Sequence, residues 1–269
     1  MDRPSRWILL PSGVIALLVM LSSVAGLTDP RVYALETQNW ATQARGQDLG
    51  NLLAVVVLLL TVRAYRRGSV RAGLVWLGTL LYLLYAFVVY VMAVHLNALF
   101  LVYVAVLGIS AWTVIFHVGP LRRAPVRHPD GPPRTAAAWV LIATGALFAG
   151  LWLSELVPAL ITGEVPASLT EAGLRVNPIH VIDLSMVLPG FILSGVAALR
   201  NRQQGLFWMG PWLVFSVLMG TSIVAAMLLM MVAGTDVVPP TVMVSVVVIA
   251  SMFAVLVYLR SPTDRTRPR

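Results

Sequence analysis

The stretch Asn-Pro-Ile-His-Val-Ile-Asp-Leu at residues 177–184 determines how this chain is interpreted. Asn177 is a good N-cap, and Pro178 suits the first helical position, where a missing N–H costs nothing. A helix that begins here carries His180 and Asp183 three residues apart, and therefore on one face. Asp183 lies too deep to act as a cap. We therefore expect a polar site near the mouth of an otherwise apolar helix.

The rest of the composition is that of a membrane protein. Hydrophobic residues make up 59% of the 269 positions and charged residues 11%, with a mean hydropathy of +0.86. A soluble domain carries about 25% charged residues. Apolar segments long enough to cross a bilayer recur throughout the chain. The sequence predicts an all-α membrane protein with eight transmembrane helices, at residues 7–27, 44–62, 72–95, 98–117, 136–162, 178–199, 206–233 and 241–259.

Two residue types are absent from the chain. There is no cysteine, which excludes disulfides, thiolate metal sites and thiol catalysis. There is also no lysine, which excludes a lysine Schiff base and a P-loop nucleotide site. No cofactor motif is present, and no cofactor is expected.

The arginines predict the topology. Of the 19 basic residues, only Arg31, Arg45 and Arg175 fall on one side of the predicted membrane. Positively charged loops stay in the cytoplasm, so both termini are predicted to be cytoplasmic, and localisation in a bacterial inner membrane is expected. The arginines on the cytoplasmic side of the membrane account for the high pI near 10.8. Nucleic acid is therefore not expected as a partner.

The two halves of the chain resemble each other at an offset of about 132 residues. Trp7 matches Trp139, the Trp-Leu-Gly at 76–78 matches the Trp-Met-Gly at 208–210, and Asp48 matches Asp183 at an offset of 135. Because four spans return the chain to its starting side, the halves form a 4+4 parallel pseudo-repeat. The predicted units are a first four-helix repeat at 1–119, a linker at 120–135, a second repeat at 136–260 and a cytoplasmic tail at 261–269. Helix 1 corresponds to helix 5, so we expect it to be retained rather than cleaved as a signal peptide.

The first half carries the counterpart of the opening stretch. Arg45, Asp48 and Asn51 share one face of helix 2, with Gln47 beside it. Acids within a membrane usually face the bundle interior. The two aspartates either pair with their own neighbours and fix helix depth, or converge on a polar pocket open to the outside. Tyr82, Tyr85 and Tyr90 of helix 3 are placed for aromatic packing or for buried hydroxyl hydrogen bonds.

Glu155 is a third acid, about two turns from the outer end of helix 5. It is expected to pair with His180 or Arg45, or to be protonated. His180, Asp183, His95 and Glu155 are also weak candidates for metal ligands, because zinc accepts histidine and carboxylate. No HExxH or other dense ligand motif accompanies them, so no metal is expected.

The segments at 46–49 and 177–184 resemble those of a group of uncharacterised bacterial polytopic integral membrane proteins. The resemblance extends over most of the chain. It implies a multi-pass fold and indicates no chemical reaction.

These observations favour a binding or transport protein over an enzyme. The predicted pocket residues are Asp48, Asp183, Glu155, His180, Arg45, Gln47 and Asn51, with a small-molecule, lipid or cation ligand. One alternative is a metal-assisted membrane hydrolase acting at the outer leaflet. Another is a structural membrane subunit without a site, in which the acids form closed salt bridges. The sequence leaves the oligomeric state open.

Overall fold

The computed structural model describes residues 8–126 and 128–260, and these residues contain helices and no strand. Within these ranges, eight helices, here α1 to α8, are long and apolar enough to cross a membrane. The chain is therefore an all-helical, multi-pass membrane protein. The eight helices are Leu9–Thr28, Gln38–Arg66, Val70–Ala93, Phe100–Arg123, Pro132–Thr162, Pro178–Leu199, Gln203–Val232 and Val238–Arg260.

Several predicted boundaries need correction. Helix α2 begins at Gln38 rather than near residue 44, because Thr37 caps it by accepting a hydrogen bond from the Trp40 N–H at 3.2 Å. Asp48 therefore lies about three turns inside the helix instead of near its mouth. Helix α4 continues through Pro120 to Arg123. The predicted tail at 261–269 and the repeat anchor Trp7 lie outside the described residues.

The two ends of the bundle differ in charge. One end carries the arginines around the turns after α2, α4 and α6, together with Arg260 at the end of α8, and is called the arginine-rich end. The other, the arginine-poor end, carries a 3₁₀ helix, Pro30–Tyr33, and a short helix, Ala167–Ala172, within segments that were predicted to be loops. The sides of the bundle are apolar, with exposed residues such as Leu101, Phe116 and Ile249. Such a surface is typical of contact with lipid.

Each set of four helices closes on itself in the same order. Helix α1 packs on α2, α2 on α3, α3 on α4, and α4 returns to α1. Helices α5 to α8 pack in the corresponding order, with α8 returning to α5. The internal sequence repeat itself stays a prediction.

The two sets meet unevenly. Helix α2 packs along α7, with Gly46 against Ala226 and Gly50 against Ser222. A Cβ at Gly46 would lie 2.2 Å from the Ala226 Cα, and one at Gly50 would lie 2.2 Å from the Ser222 Cβ. Small residues allow the two backbones to approach this closely. On the other flank, α3 contacts α6 mainly at the first turns of α6. A cavity lies between the two sets of helices beside this contact.

Candidate functional site

Asp48 is sealed inside the first set of helices. Its side chain is almost fully buried, and its Oδ2 and Oδ1 atoms accept hydrogen bonds from the Tyr33 and Tyr90 hydroxyls, each at 2.8 Å. Helix α1 passes over it at Gly26, where a Cβ would lie 2.2 Å from the Asp48 Oδ2. Only glycine allows helix α1 to lie this close.

Tyr33 reaches Asp48 because the chain turns sharply after α1. The Asp29 carboxylate caps this turn by accepting a hydrogen bond from the Arg31 backbone N–H at 3.0 Å, and Pro30 takes the first position of the 3₁₀ helix. Burial, together with the nearby Asp48, raises the pKa of Tyr33 well above its usual value. The hydroxyl therefore keeps its proton and remains a donor.

A chain of polar side chains leads from this cluster toward the second set of helices. Asn51 donates to the Ser23 hydroxyl at 3.3 Å and accepts a hydrogen bond from the Tyr82 hydroxyl at 3.2 Å. The Gln47 amide donates to the Tyr82 hydroxyl at 2.7 Å and accepts from Ser222 of α7 at 3.3 Å. Asp48, Asn51 and Gln47 of the predicted polar face of α2 are thus satisfied by neutral partners.

Asp183 occupies a different environment. It is buried at the inner surface of α6, where its Oδ1 accepts a hydrogen bond from the Tyr85 hydroxyl at 3.0 Å and its Oδ2 accepts from the Trp152 indole N–H at 2.8 Å. No ion pair to Asp183 occurs within the described part of the chain. The Asp183 carboxylate is therefore oriented by neutral donors from α3 and α5.

The backbone widens at the same position. Residues Asp183–Val187 form a π turn, in which the Leu188 N–H donates to the Asp183 carbonyl five residues earlier. Pro189 follows, lacks an N–H and clashes sterically with the carbonyl four residues before it, which explains the wider turn. Single π turns within α-helices occur frequently at functional sites.

Glu155 lies next to His180, which is one of the alternatives that the sequence left open for it. The His180 Nε2 and the Glu155 Oε2 are 4.0 Å apart, and Ser168 of the short helix donates to the other Glu155 oxygen. The His180 ring packs on Trp152, with a centroid separation of 4.7 Å. Trp152 therefore contacts both His180 and Asp183, which confirms that the two residues share a face of α6.

A cavity of about 340 Å³ lies between the two sets of helices, within the range of sites for small molecules. It extends from Trp40, Val94 and Val237 at the arginine-poor end to Thr144 and Phe191 in the bundle interior. The lining is mainly apolar and aromatic, in contrast to the polar pocket expected from the sequence. Its polar members are Gln43, Gln47, Tyr85, Tyr90, Thr144, Asp183, Ser216 and Ser222, together with the Trp40 and Trp152 indoles.

Of the seven predicted pocket residues, Gln47 and Asp183 line the cavity. The other five, Arg45, Asp48, Asn51, Glu155 and His180, are not among its lining residues. Asp48 lies one layer behind it, separated by Tyr90, which contacts both the cavity and Asp48. The Glu155–His180 pair lies behind Trp152.

The four weak metal candidates do not form one cluster, although His180 and Glu155 lie next to each other. His95 pairs instead with Glu36, whose carboxylate lies 3.0 Å from the His95 Nδ1 and accepts the His95 backbone N–H at 2.7 Å. In residues 8–126 and 128–260, no three histidine, aspartate or glutamate side chains are grouped to hold a metal ion. A zinc hydrolase needs three protein ligands, so these four residues do not supply such a centre.

Two contacts of this region escape sequence reasoning. Trp152 and Tyr33 supply donors to the two aspartates, and neither stands at a spacing that indicates this role. Tyr82, Tyr85 and Tyr90 were expected either to pack on aromatic rings or to form buried hydroxyl hydrogen bonds. All three form hydroxyl hydrogen bonds, and Tyr85 and Tyr90 also pack on rings.

No protein-family model, curated protein or solved structure matches this chain. The geometry of the cavity therefore carries the functional argument.

Proposed function

We propose that this chain is a membrane-embedded binding and transport protein whose ligand occupies the cavity between the two sets of four helices. The observation that carries the proposal is Asp183, a buried carboxylate at the wall of a ligand-sized cavity, with no cationic partner among the described residues. Ionisable groups within a membrane are costly to bury, and they usually mark substrate or ion pathways.

The uneven interface supports the proposal. Gly46 and Gly50 of α2 hold α7 close through Ala226 and Ser222. One flank of the junction is therefore tightly packed.

The predicted repeat relates that flank to the open one. At an offset of 135, Gly46 and Gly50 correspond to Val181 and Ser185 of α6. At 132, Ser222 and Ala226 correspond to Tyr90 of α3 and to Val94, which follows the last residue of α3. Larger side chains replace small ones, so α3 and α6 do not pack closely there. A transporter built from two repeats carries its ligand site at the junction of the repeats, which is the position of this cavity.

Orientation follows from the charge pattern. The arginine-rich end and both termini face the cytoplasm of a bacterial inner membrane, and the cavity opens toward the outside. The α3–α6 flank is packed mainly at the first turns of α6. It is therefore the part of the junction most able to change between open and closed states.

The absence of cysteine makes a direct test possible. Ile223→Cys places a thiol at the cavity wall, and Ile249→Cys places the matched control on the lipid-facing side of α8. We expect a membrane-impermeant thiosulfonate reagent to modify Ile223→Cys and to leave Ile249→Cys unmodified. Labelling of Ile223→Cys in vesicles of both orientations would support transport.

The matching block test uses Ile223→Trp and Ile249→Trp. A tryptophan at Ile223 fills the cavity, whereas one at Ile249 projects into lipid. No modification of Ile223→Cys from either side, together with unchanged ligand retention in Ile223→Trp, would contradict the proposed function.

A further inference from the structure

The charge of the cavity wall is one-sided. Among the lining residues that the structure describes, Asp183 is the only one with a formal charge, and none is arginine or histidine. Its two neutral partners, Tyr85 and Trp152, orient the carboxylate without cancelling its charge. A negative potential therefore remains in a low-dielectric space, where electrostatic interactions are strong.

Aromatic rings line the cavity beside this charge. Tyr85 and Trp152 touch the carboxylate itself, and five more rings lie around the same space. The faces of aromatic rings attract cations, most strongly where water is excluded. The seven aromatic lining residues are Trp40, Tyr85, Tyr90, Phe148, Trp152, Phe191 and Phe215.

From this arrangement we infer that the ligand is a monovalent organic cation with an apolar body, an inference that rests on the proposed function. The ligand's charge lies near Asp183, and its hydrocarbon contacts the apolar wall formed by α6, α7 and α8. An anion would meet the carboxylate without a counter-charge, and a neutral ligand would leave the carboxylate buried and unpaired. A metal cation such as calcium needs six or more oxygen ligands, which this largely apolar wall does not supply.

Two probes of nearly equal size and shape but opposite charge, with a neutral third, separate these cases. Tetraphenylphosphonium is a cation, and tetraphenylborate is its anionic counterpart. Triphenylphosphine oxide serves as the neutral member of the set. Binding is measured to the full chain in lipid nanodiscs, with empty nanodiscs subtracted, because all three probes partition into lipid.

Asp183→Asn is the informative variant, since the amide retains an acceptor for Tyr85 or Trp152 and loses the charge. Asp236→Asn is the matched control, because Asp236 is an exposed residue at the same end that does not line the cavity. We expect Asp183→Asn to weaken tetraphenylphosphonium binding by about tenfold or more and Asp236→Asn to leave it unchanged. If Asp183→Asn fails to fold, Phe148→Leu replaces it and is expected to weaken cation binding about threefold with little effect on the neutral probe.

The outcomes separate the two proposals. If tetraphenylborate or triphenylphosphine oxide binds, is displaced in Ile223→Trp but not in Ile249→Trp, and tetraphenylphosphonium does not bind, then the cavity is a ligand site and the cation assignment is wrong. If tetraphenylphosphonium binds equally to wild type and Asp183→Asn, the assignment is also wrong. If no probe responds to Ile223→Trp, both proposals fail.

Discussion

At the residue scale, the two buried aspartates have similar partners and different access. Each carboxylate oxygen of Asp48 and Asp183 accepts a hydrogen bond from a neutral donor. Asp48 is enclosed by α1, α2 and α3, whereas Asp183 borders the cavity. We therefore assign Asp183 to the ligand and Asp48 to holding the first set of helices together.

The Asp48 assignment predicts a loss of stability. Asp48→Ala leaves the Tyr33 hydroxyl buried without an acceptor, at a cost of about 1–3 kcal/mol, while the Tyr90 hydroxyl keeps only the Ala44 carbonyl at 3.2 Å. We expect the free energy of unfolding to fall by about 1–3 kcal/mol in detergent, followed by tryptophan fluorescence. Asp48→Asn retains an acceptor and should lose clearly less. Equal losses in the two variants would contradict this role.

Gly26 offers a second test of the same cluster. Gly26→Ala places a methyl group in the position of the Asp48 carboxylate, so we expect it to destabilise the protein by about 1–3 kcal/mol. Gly13 lies on the same helix, and a Cβ there would have no atom of another element within 4 Å, so Gly13→Ala should be neutral or stabilising by up to about 1 kcal/mol. Thermal unfolding of both variants under one condition makes the comparison, and a stable Gly26→Ala protein would refute the close approach.

At the scale of elements, the start of α2 and the short helix Ala167–Ala172 stabilise each other. Thr37 caps α2 through the Trp40 N–H, and its hydroxyl also donates to the Glu171 carbonyl at 2.8 Å. The Trp40 indole N–H donates to the Ala93 carbonyl at the end of α3 at 2.7 Å. At the arginine-poor mouth of the cavity, the start of α2 is thus held by α3 of its own set and by the short helix of the other set.

Thr37→Ala removes the cap and the contact with the short helix together. We expect a loss of about 0.5–2 kcal/mol in the free energy of unfolding, which is the usual cost of losing an N-cap. Thr37→Ser keeps the hydroxyl and should restore most of that stability. Denaturant titration of the three proteins measures the difference, and identical stability of wild type and Thr37→Ala would show that the cap has no effect.

Much of the element scale is predictable from the sequence. Apolar length identifies all eight spans, and Asn177 caps α6 as its residue type indicates, accepting the Ile179 N–H at 2.9 Å. The early start of α2 was missed because the polar residues at 38–43 resemble a loop. Thr37 is a common residue type whose capping role depends on the fold around it.

The candidate site is less predictable for a physical reason. Spacing along one helix finds pairs such as His180 and Asp183, but the partners of Asp183 come from α3 and α5. Which ring reaches a carboxylate depends on packing between helices, and the sequence does not encode that distance locally. The π turn before Pro189 also rotates the helix in a way that regular helical periodicity does not anticipate.

In the whole molecule, the two sets of four helices meet at an uneven junction. One flank is packed through small residues, and the other contains the cavity. A cavity at such a junction changes shape when one set of helices moves against the other. Ligand binding and movement of the two sets are therefore expected to be coupled.

The arginine distribution predicts which end faces the cytoplasm. Glu164→Cys lies in the turn after α5 at the arginine-poor end, and Ser69→Cys lies in the turn after α2 at the other end. In intact cells, an impermeant thiol reagent should label Glu164→Cys, and it should label Ser69→Cys only after lysis. The reverse pattern would invert the proposed orientation.

Diffraction from crystals soaked with tetraphenylarsonium would locate the organic cation that we propose for the cavity beside Asp183. Arsenic scatters anomalously, so its position is found without reference to the lipid or the protein. We expect an anomalous peak between α3 and α6 beside the Asp183 carboxylate, and we expect it to be lost in Asp183→Asn crystals. A peak elsewhere, or one at the same place and strength in Asp183→Asn crystals, would contradict this proposal.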